Sequence, residues 1–569
     1  MSYRVLSSVL ACLAAITTAC VPGAQGPSRE DRAAAGSSGP KVLRVGLTEP
    51  PLEGGIAFGG AGTGRSELIY TVHAALTVYD DRGELQPWIA AHLPTVENGD
   101  WQVLPDGRME LTWRLRPNVL WHDGTPLAAE DFAFGYRIAR DQEMFATGSR
   151  TLRMIDEMAV PDPQTLIVRW RDIYIFGNAM GLNTLIPLPR HILGARYEAG
   201  NKQAVANSLF WTSEWVGLGP YRVSQWMEGS LIDTVAFDQY FLGRPKIDRI
   251  TIRYIFDVNA LVLNLIAGDI DVAPVGPFKE EEGYSLRTQW ESRGAGTVMI
   301  NRTDLRTGRL SWRYPGVPWV QDVQVRQALL HMLDRQTMVD TLRHGLSEVA
   351  DIALPKEDAA YQLAHQRGLP SYPYDLGRAH RLLVESGLAR GPDGVYRTQG
   401  GEPFSIEVGA TSDTQTGVQE ALSIVDQWKT AGLDVSPLLI SDTDLNKQEI
   451  RSKVRGIYMG PGSLGYGTYQ NFITREITSE ATRWTGANRG AYSNPAYDQL
   501  VDRVYGTIRS SERAQAAADL ARMALEQLPF LPLYYVNDVA AFRKGMTGLT
   551  PISSSQPVNA WNVHLWDIE

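Results

Sequence analysis

Cysteine is nearly absent from this sequence. Its two cysteines, Cys12 and Cys20, both fall within the first 20 residues. The body therefore holds no disulfide scaffold and no cysteine-ligated zinc or iron–sulfur centre. A basic excess is missing too: Lys and Arg number 54 against 64 Asp and Glu, a net charge of −10. That balance gives no general footprint for nucleic acid, and no nucleic-acid partner is expected. After the N-terminal region, no apolar run approaches the roughly 18 residues of a membrane span. Catalytic signatures are also lacking. The nine histidines form neither H-E-x-x-H nor H-x-x-x-H, and no G-x-S-x-G elbow occurs. Gly268-Asp269-Ile270-Asp271 starts like a calcium loop but lacks the later ligands, so it reads as a helix-to-strand turn. No metal, cofactor or catalytic residue is expected.

What is present is an ordinary globular composition, 44% hydrophobic and 21% charged over 569 residues. That suffices for two to four domains with a large core. Arg4 is the only charge before the run Val5 to Ile16, apolar except for Ser7 and Ser8. The run is too short for a bilayer but suits an export signal. It ends in Thr17-Thr18-Ala19-Cys20, which resembles a bacterial lipobox with Thr17 in the usual aliphatic place. Residues 1–20 are thus expected to be a lipoprotein signal peptide with Cys20 lipidated. Residues 21–40, rich in Gly, Ser, Ala and Pro, read as a flexible tether. The expected location is periplasmic or cell-surface, lipid-anchored to the membrane.

Folded sequence begins near Lys41, with Val42 to Leu47 as a first strand. Met109 to Arg116 alternates strictly, with Met109, Leu111, Trp113 and Leu115 on one side. Arg249 to Phe256 repeats the pattern through Ile250, Ile252, Tyr254 and Phe256. Val325, Ala328, Leu329, Met332, Val339 and Leu342 form a helical stripe, capped by Asp322 and ended by Gly345. Further stripes run Tyr497, Leu500, Val501, Val504, Ile508 and, before Pro529, Ala517 to Leu528. The fold class is mixed α/β.

Several segments then fall into a familiar order. They are Gly83-Glu84-Leu85-Gln86-Pro87-Trp88-Ile89-Ala90, Leu115 to Phe132 with Trp121-His122-Asp123-Gly124-Thr125-Pro126 at its centre, and Gly217-Leu218-Gly219-Pro220-Tyr221. Asp322 to Leu329 with Asp334-Arg335 follows, then Ala491 to Asp498. Together they resemble the extracellular solute-binding proteins of the peptide/nickel class (oligopeptide-binding, family 5) of ABC importers. The resemblance implies a type II periplasmic-binding fold, two cleft lobes plus an additional domain. Lobe I would take 41–85, 211–301 and 528–569, the additional domain 86–210, and lobe II 302–527. It implies capture of a small solute, peptide-like or oligosaccharide-like, and delivery to a membrane permease by hinge closure. The partners expected are this ligand, the permease and, through the N-terminal lipid, the membrane; the chain is expected to be a monomer and not an enzyme. His122 read as ligand or base has no partner at motif spacing, and turn chemistry accounts better for its segment.

Candidate ligand positions lie in several loops. Gly59 to Ser66 imitates a phosphate loop with Arg65 where lysine belongs, but nucleotide is scarce outside the cytoplasm. A loop before a helix start near Thr63 is the better reading, with free amides for a carboxylate or hydroxyl. In Arg455 to Phe472, Tyr458, Tyr466 and Tyr469 are candidates. In peptide-binding relatives the matching segment carries an Asp that holds the peptide's ammonium. No Asp or Glu occurs between Gly456 and Thr474 here. Near the C-terminus Leu531 to Asn537 resembles "P-x-Y-Y-Y-V-N", which maps the cleft tyrosine to Tyr535, with Tyr534 and Val536 on the opposite face. Trp484 is a further aromatic candidate, as are Trp211 and Trp215; Asn488 matches a family position, with the bracing of a turn as its plainer reading. The rival functions are a secreted hydrolase on an unrelated fold and a non-transport sensor or adhesion lipoprotein.

Overall fold

Ten strands build the main sheet, and each follows from its sequence pattern. We number them β1 (Val42–Leu47), β2 (Tyr221–Met227), β3 (Leu231–Ala236), β4 (Arg249–Tyr254), β5 (Val272–Phe278), β6 (Gly296–Leu310), β7 (Ser405–Thr411), β8 (Asp434–Ile440), β9 (Gly456–Ser463) and β10 (Phe530–Arg543). Their order across the sheet is β8-β7-β9-β6-β10-β5-β1-β4-β3-β2. The computed structural model describes residues 39–51, 55–58, 63–141, 143–144, 150–278, 280–441, 443–444 and 447–569. Cys20, the expected lipidation site, lies outside them, as do residues 21–38 of the tether and Gly59 to Gly62. The folded body runs from Lys41 to Glu569. Among the described residues no helix is long and apolar enough to cross a membrane.

Two long strands, β6 and β10, pair antiparallel from Gly296↔Arg543 to Arg309↔Phe530. Beyond Asp304, β6 also pairs with β9, while the last residues of β10 pair with β5. One half of the sheet therefore extends from β6 and the other from β10. Each half has its own core. The larger cluster gathers residues from Leu305 to Tyr535; the next gathers Leu43 to Val272 and Met546 to Ile568. The latter includes Trp113, Phe132 and Trp170, so the segment 86–210 shares its core with β1 and β4. This segment carries a second sheet, in the order Trp101–Val103, Met109–Arg114, Thr165–Trp170, Ile155–Asp162.

Alternation locates strands well. Met109, Leu111 and Trp113 are buried, with Glu110 and Thr112 between them less so. Two expectations need correction. The strand expected to reach Phe256 ends at Tyr254, and Phe256 is 65% exposed. The single helix expected from Val325 to Leu342 is two, Val323–His331 and Arg335–Leu342. The second has its own cap, because the Asp334 carboxylate accepts from the Thr337 N–H at 3.0 Å. Leu528 closes Ser510–Gln527 in the left-handed conformation before Pro529. Asp271 confirms the turn reading of its segment: it is fully buried and takes Arg44 at 2.7 Å and Arg543 at 3.0 Å.

The bend Gly217-Leu218-Gly219 shows what one motif is for. A Cβ at Gly217 would lie 2.0 Å from the Val72 carbonyl oxygen, and one at Gly219 2.3 Å from the Val72 carbon, so both must be glycine. Two buried histidines hold the bend. His122 Nδ1 accepts from Gly217 N–H at 3.1 Å and its Nε2 lies 3.0 Å from Gly219 O; His73 Nδ1 accepts from Leu218 N–H at 3.1 Å. His122 is thus a brace between two chain segments. Burial pushes His73 down to about 3 and His122 to about 4, whereas the unfolded chain binds protons near pH 6.5. A depressed folded-state value means that the contribution is full above pH 6.5 and is lost as pH falls. The melting temperature of wild type should therefore approach that of His122→Asn as pH drops from 6.5 to 4. A gap that stays constant over this range would show that His122 does not fold as the neutral ring.

Candidate functional site

Strand direction locates the site. β5 is parallel to β1, which is parallel to β4, and β5 and β6 are both antiparallel to β10. β9 runs antiparallel to β6, and β7 and β8 run with β9. The carboxyl ends of both halves are therefore directed toward the β6–β10 crossing. In open α/β sheets ligands sit outside such carboxyl ends. Among the described residues, those that follow Leu47, Tyr254, Thr411 and Ser463 face this region.

Thr63 opens the helix Thr63–Val72 after the first of these loops; its side chain lies outside the described residues. Arg65 is buried. Its guanidinium donates to the carbonyls of Ile56, at 3.1 Å, and Ala57. It is thus engaged inside the fold, not turned to a phosphate.

Tyr535 lies on β10 with 2% of its surface exposed. Its hydroxyl donates to the Asp351 carboxylate at 2.5 Å and meets the Ile352 carbonyl at 3.1 Å. Arg302 covers its ring at 3.9 Å. Burial and then Asp351 push its pKa upward. Tyr469 is equally buried, and its hydroxyl accepts from Ala353 N–H at 2.9 Å. The two tyrosines therefore meet at 351–353, and both hold that segment from behind. Tyr466 is half-buried and stacks on Phe176 at 6.4 Å. Tyr458 is half-buried opposite Arg309, with Arg451 5.3 Å from its ring centre. Because Leu305 opposes both Tyr535 and Gly462, alternation puts Tyr458 and Arg309 on Tyr535's sheet face. Trp484 stands apart from these, between Arg313 at 5.4 Å and Lys453 at 5.0 Å. Trp211 and Trp215 are core residues. Asn488 is buried and braces its turn, bonding Ile473 O at 2.9 Å and Tyr492 O at 2.8 Å.

A groove of about 490 Å³ straddles the crossing. Arg302 and Asn537 lie at its floor, Arg82 and Ile552 come from one half, and Ser347 and Lys356 from the other. A second hollow of about 620 Å³ lies at the carboxyl ends of β1 and β4, lined by Pro50, Pro51, Trp211 and Tyr254. A third, about 330 Å³, has Tyr174 and Phe176 facing Gln470 and Tyr505. Among the described residues no group of His, Cys, Asp or Glu could hold a metal ion.

Beside the crossing sits a buried charge network that sequence reading missed. Glu420 is fully buried and takes Arg306, Arg343 at 2.9 Å, and the Tyr534 hydroxyl. Arg343 also reaches Glu280 at 3.3 Å, and Glu280 accepts from Asn537 N–H at 2.8 Å. Burial raises the Glu280 pKa, and Arg343 opposes that rise. Asp304, on β6, is pushed up to about 6 by burial and by Asp538. These partners are far apart in the chain, so no local motif announces them. Removing one member of a buried ion pair leaves the others uncompensated, at a cost of about 3–5 kcal/mol. Glu420→Gln should lose stability of that order in urea unfolding. A loss below about 1 kcal/mol would mean that the two guanidiniums do not depend on Glu420.

Comparison with known proteins agrees with this geometry. Residues 84–478 match the family described as bacterial extracellular solute-binding proteins, family 5 Middle. The oligopeptide-binding protein AppA of Bacillus subtilis is 24% identical over 454 residues, covering 78% of this chain and 78% of that protein. HbpA2 from Haemophilus parasuis superposes with a TM-score of 0.74 at 17% identity, over 93% of this chain and 100% of that one. NikZ from Campylobacter jejuni, in complex with Ni(L-His), gives 0.65 at 22% identity, over 92% and 99%. The fold is the type II periplasmic-binding arrangement, and the chain belongs to the family 5 extracellular solute-binding proteins, which capture solutes for ABC importers.

Proposed function

We propose that the solute is held between the two cores over the β6–β10 crossing, and that the halves close about these strands. The observation that carries this reading is the groove at the crossing, with walls from both halves and carboxyl strand ends converging on it. Ligand then shifts the population toward the closed form in proportion to its differential affinity. The lobes of this reading are 41–85 with 211–301, and 302–527, with 86–210 as the additional domain; of the C-terminal stretch 528–569, Leu528 and Phe530 to Tyr535 sit in the larger core and the remainder returns to the first lobe. Passage between the cores falls on β10 between Tyr535 and Val539. Tyr458 and Tyr466, half-open, contact the solute in this reading, with Trp484 at its outer side. Tyr535 and Tyr469 act by holding Asp351 to Ala353 and, through the ring of Tyr535, Arg302. The Thr63 helix start contributes amides.

The solute is peptide-like or oligosaccharide-like and needs no ammonium group. Its support is the lack of Asp or Glu between Gly456 and Thr474, where an ammonium partner would add about 1.5–3 kcal/mol. AppA is named for oligopeptides, which supports the peptide-like alternative. The protein acts as a monomer, performs no chemistry, and is held at the membrane by lipid on Cys20.

Native mass spectrometry of the purified protein, followed by tryptophan fluorescence and melting with a broad solute library, tests this. A solute at about 100 times its Kd should add about 2.7 kcal/mol of stability. If no solute changes emission or melting, capture at the crossing loses its support. Tyr535→Phe should cost about 1–2 kcal/mol of stability, since Asp351 loses a donor, and should weaken solute binding. Unchanged affinity would remove Tyr535 from the site.

A further inference from the structure

The segment 86–210 shares its core with β1 and β4, so it belongs mechanically to that half of the molecule. One of its loops nonetheless reaches the other half. The loop follows the strand Thr165–Trp170 and is fixed at its base. Ile175 is buried, and the Tyr174 ring packs on Trp170 at 5.1 Å. Tyr174 N–H meets Met109 Sδ at 3.4 Å, and Gly177 N–H donates to Tyr174 O at 2.9 Å. A Cβ at Gly177 would stand 2.7 Å from Met109 Cε, so the turn sits close on its own sheet. Phe176, at the tip of this turn, is only half-buried.

Phe176 meets two rings of the other half. Tyr466 lies nearly parallel to it at 6.4 Å, and Tyr505 meets it edge-on at 6.2 Å. Both arrangements fall within the favourable range for aromatic pairs. Close to Tyr505, Ile508 packs against the core that 86–210 shares. Arg513 holds this turn, donating to Thr507 O at 3.1 Å and to Ile508 O at 2.8 Å. The contact is not a continuous core. It borders the hollow of about 330 Å³, lined by Thr151 and Tyr174 on one side and by Gln470 and Arg475 on the other. No residue lining this hollow lines the groove over the crossing. A few rings beside unfilled space can part at modest cost, as interfaces between moving domains do.

We propose that Phe176, set between Tyr466 and Tyr505, is a latch by which the additional domain holds the two halves closed from a point off the hinge strands. This rests on the reading that the halves close about the β6–β10 crossing, and it gives that motion a second contact. Tyr466 opens the short helix Tyr466–Gln470, which follows the carboxyl end of β9. Leu464, two residues earlier, lines the groove over the crossing. Tyr466 therefore stands on the groove's side of the hinge strands, and an opening that widens the groove also draws it away from Phe176. A contact made in one form and lost in the other shifts the balance by its own free energy. Because Tyr466 also contacts the solute in the proposed reading, solute and latch each favour the other.

Distances between two spin labels, measured in the purified chain without added solute, test the latch. The labels go on Glu97→Cys in the additional domain and Glu385→Cys in the other half, both exposed positions. Cys12→Ser and Cys20→Ser leave no other thiol. Each variant is first checked for folding by circular dichroism. Phe176→Ala should lower the ratio of closed to open distances roughly 5- to 10-fold. Tyr505→Ala, on the other side of the contact, should lower it too, and Phe176→Tyr, which keeps the ring, should stay near the unsubstituted chain. Two distance populations that ignore both alanine substitutions would overturn the latch and leave the hinge standing. One distance, the same in every sample, would overturn the hinge reading and the latch with it.

Discussion

The pairing of β6 with β10 is the constraint on which the rest depends. Both strands belong to both halves of the sheet, and each half is added to a different one of them. Their register therefore sets where the two cores stand along the chain. It is fixed on the side of the larger core by Leu305 opposite Tyr535 and on the other by Val298 opposite Ala541, all of them buried. A slip by one residue would turn each of these faces to the wrong side. Two register shifts, between Arg302 and Asp304 and between Arg306 and Thr307, fall within the crossing segment. Such irregularities bend and twist strands locally.

Charge is concentrated around this crossing, in two different states. The network of Glu420, Arg306, Arg343 and Glu280 is compensated within the protein, and it joins the helix Gln415–Thr430 to the helix Glu280–Glu291. It fixes geometry more than it adds stability, since a buried ion pair roughly repays its own desolvation. Asp304 and Asp538 are alike in sign on the crossing strands themselves, and burial raises Asp304 to about 6. No cysteine crosses the region, so no disulfide ties the two halves together.

Much of the fold could be read from local pattern, and less of the site. Strands with strict alternation, such as Met109 to Arg114, were evident because one face is buried and the other open. The helix pair at Val323–His331 and Arg335–Leu342 was read as one because their apolar stripe continues through the break, and periodicity is blind to a cap within it. The family motifs pointed to the fold correctly, but their residues turn out to be braces. His122 grips Gly217 and Gly219, and Asn488 ties Ile473 to Tyr492. The motif singles out Tyr535, and nothing local shows that Arg302 covers its ring. Glu420 was missed because its partners come from distant segments of the chain.

Where the solute sits bears on mechanism. Only a contact that differs between the open and closed forms shifts the balance between them. β6 and β10 pair with each other at the crossing, and each carries one half of the sheet. A solute held over the crossing would act directly on the strands that join the halves. Recognition and closure would then share one element, and the protein would need no separate relay between them.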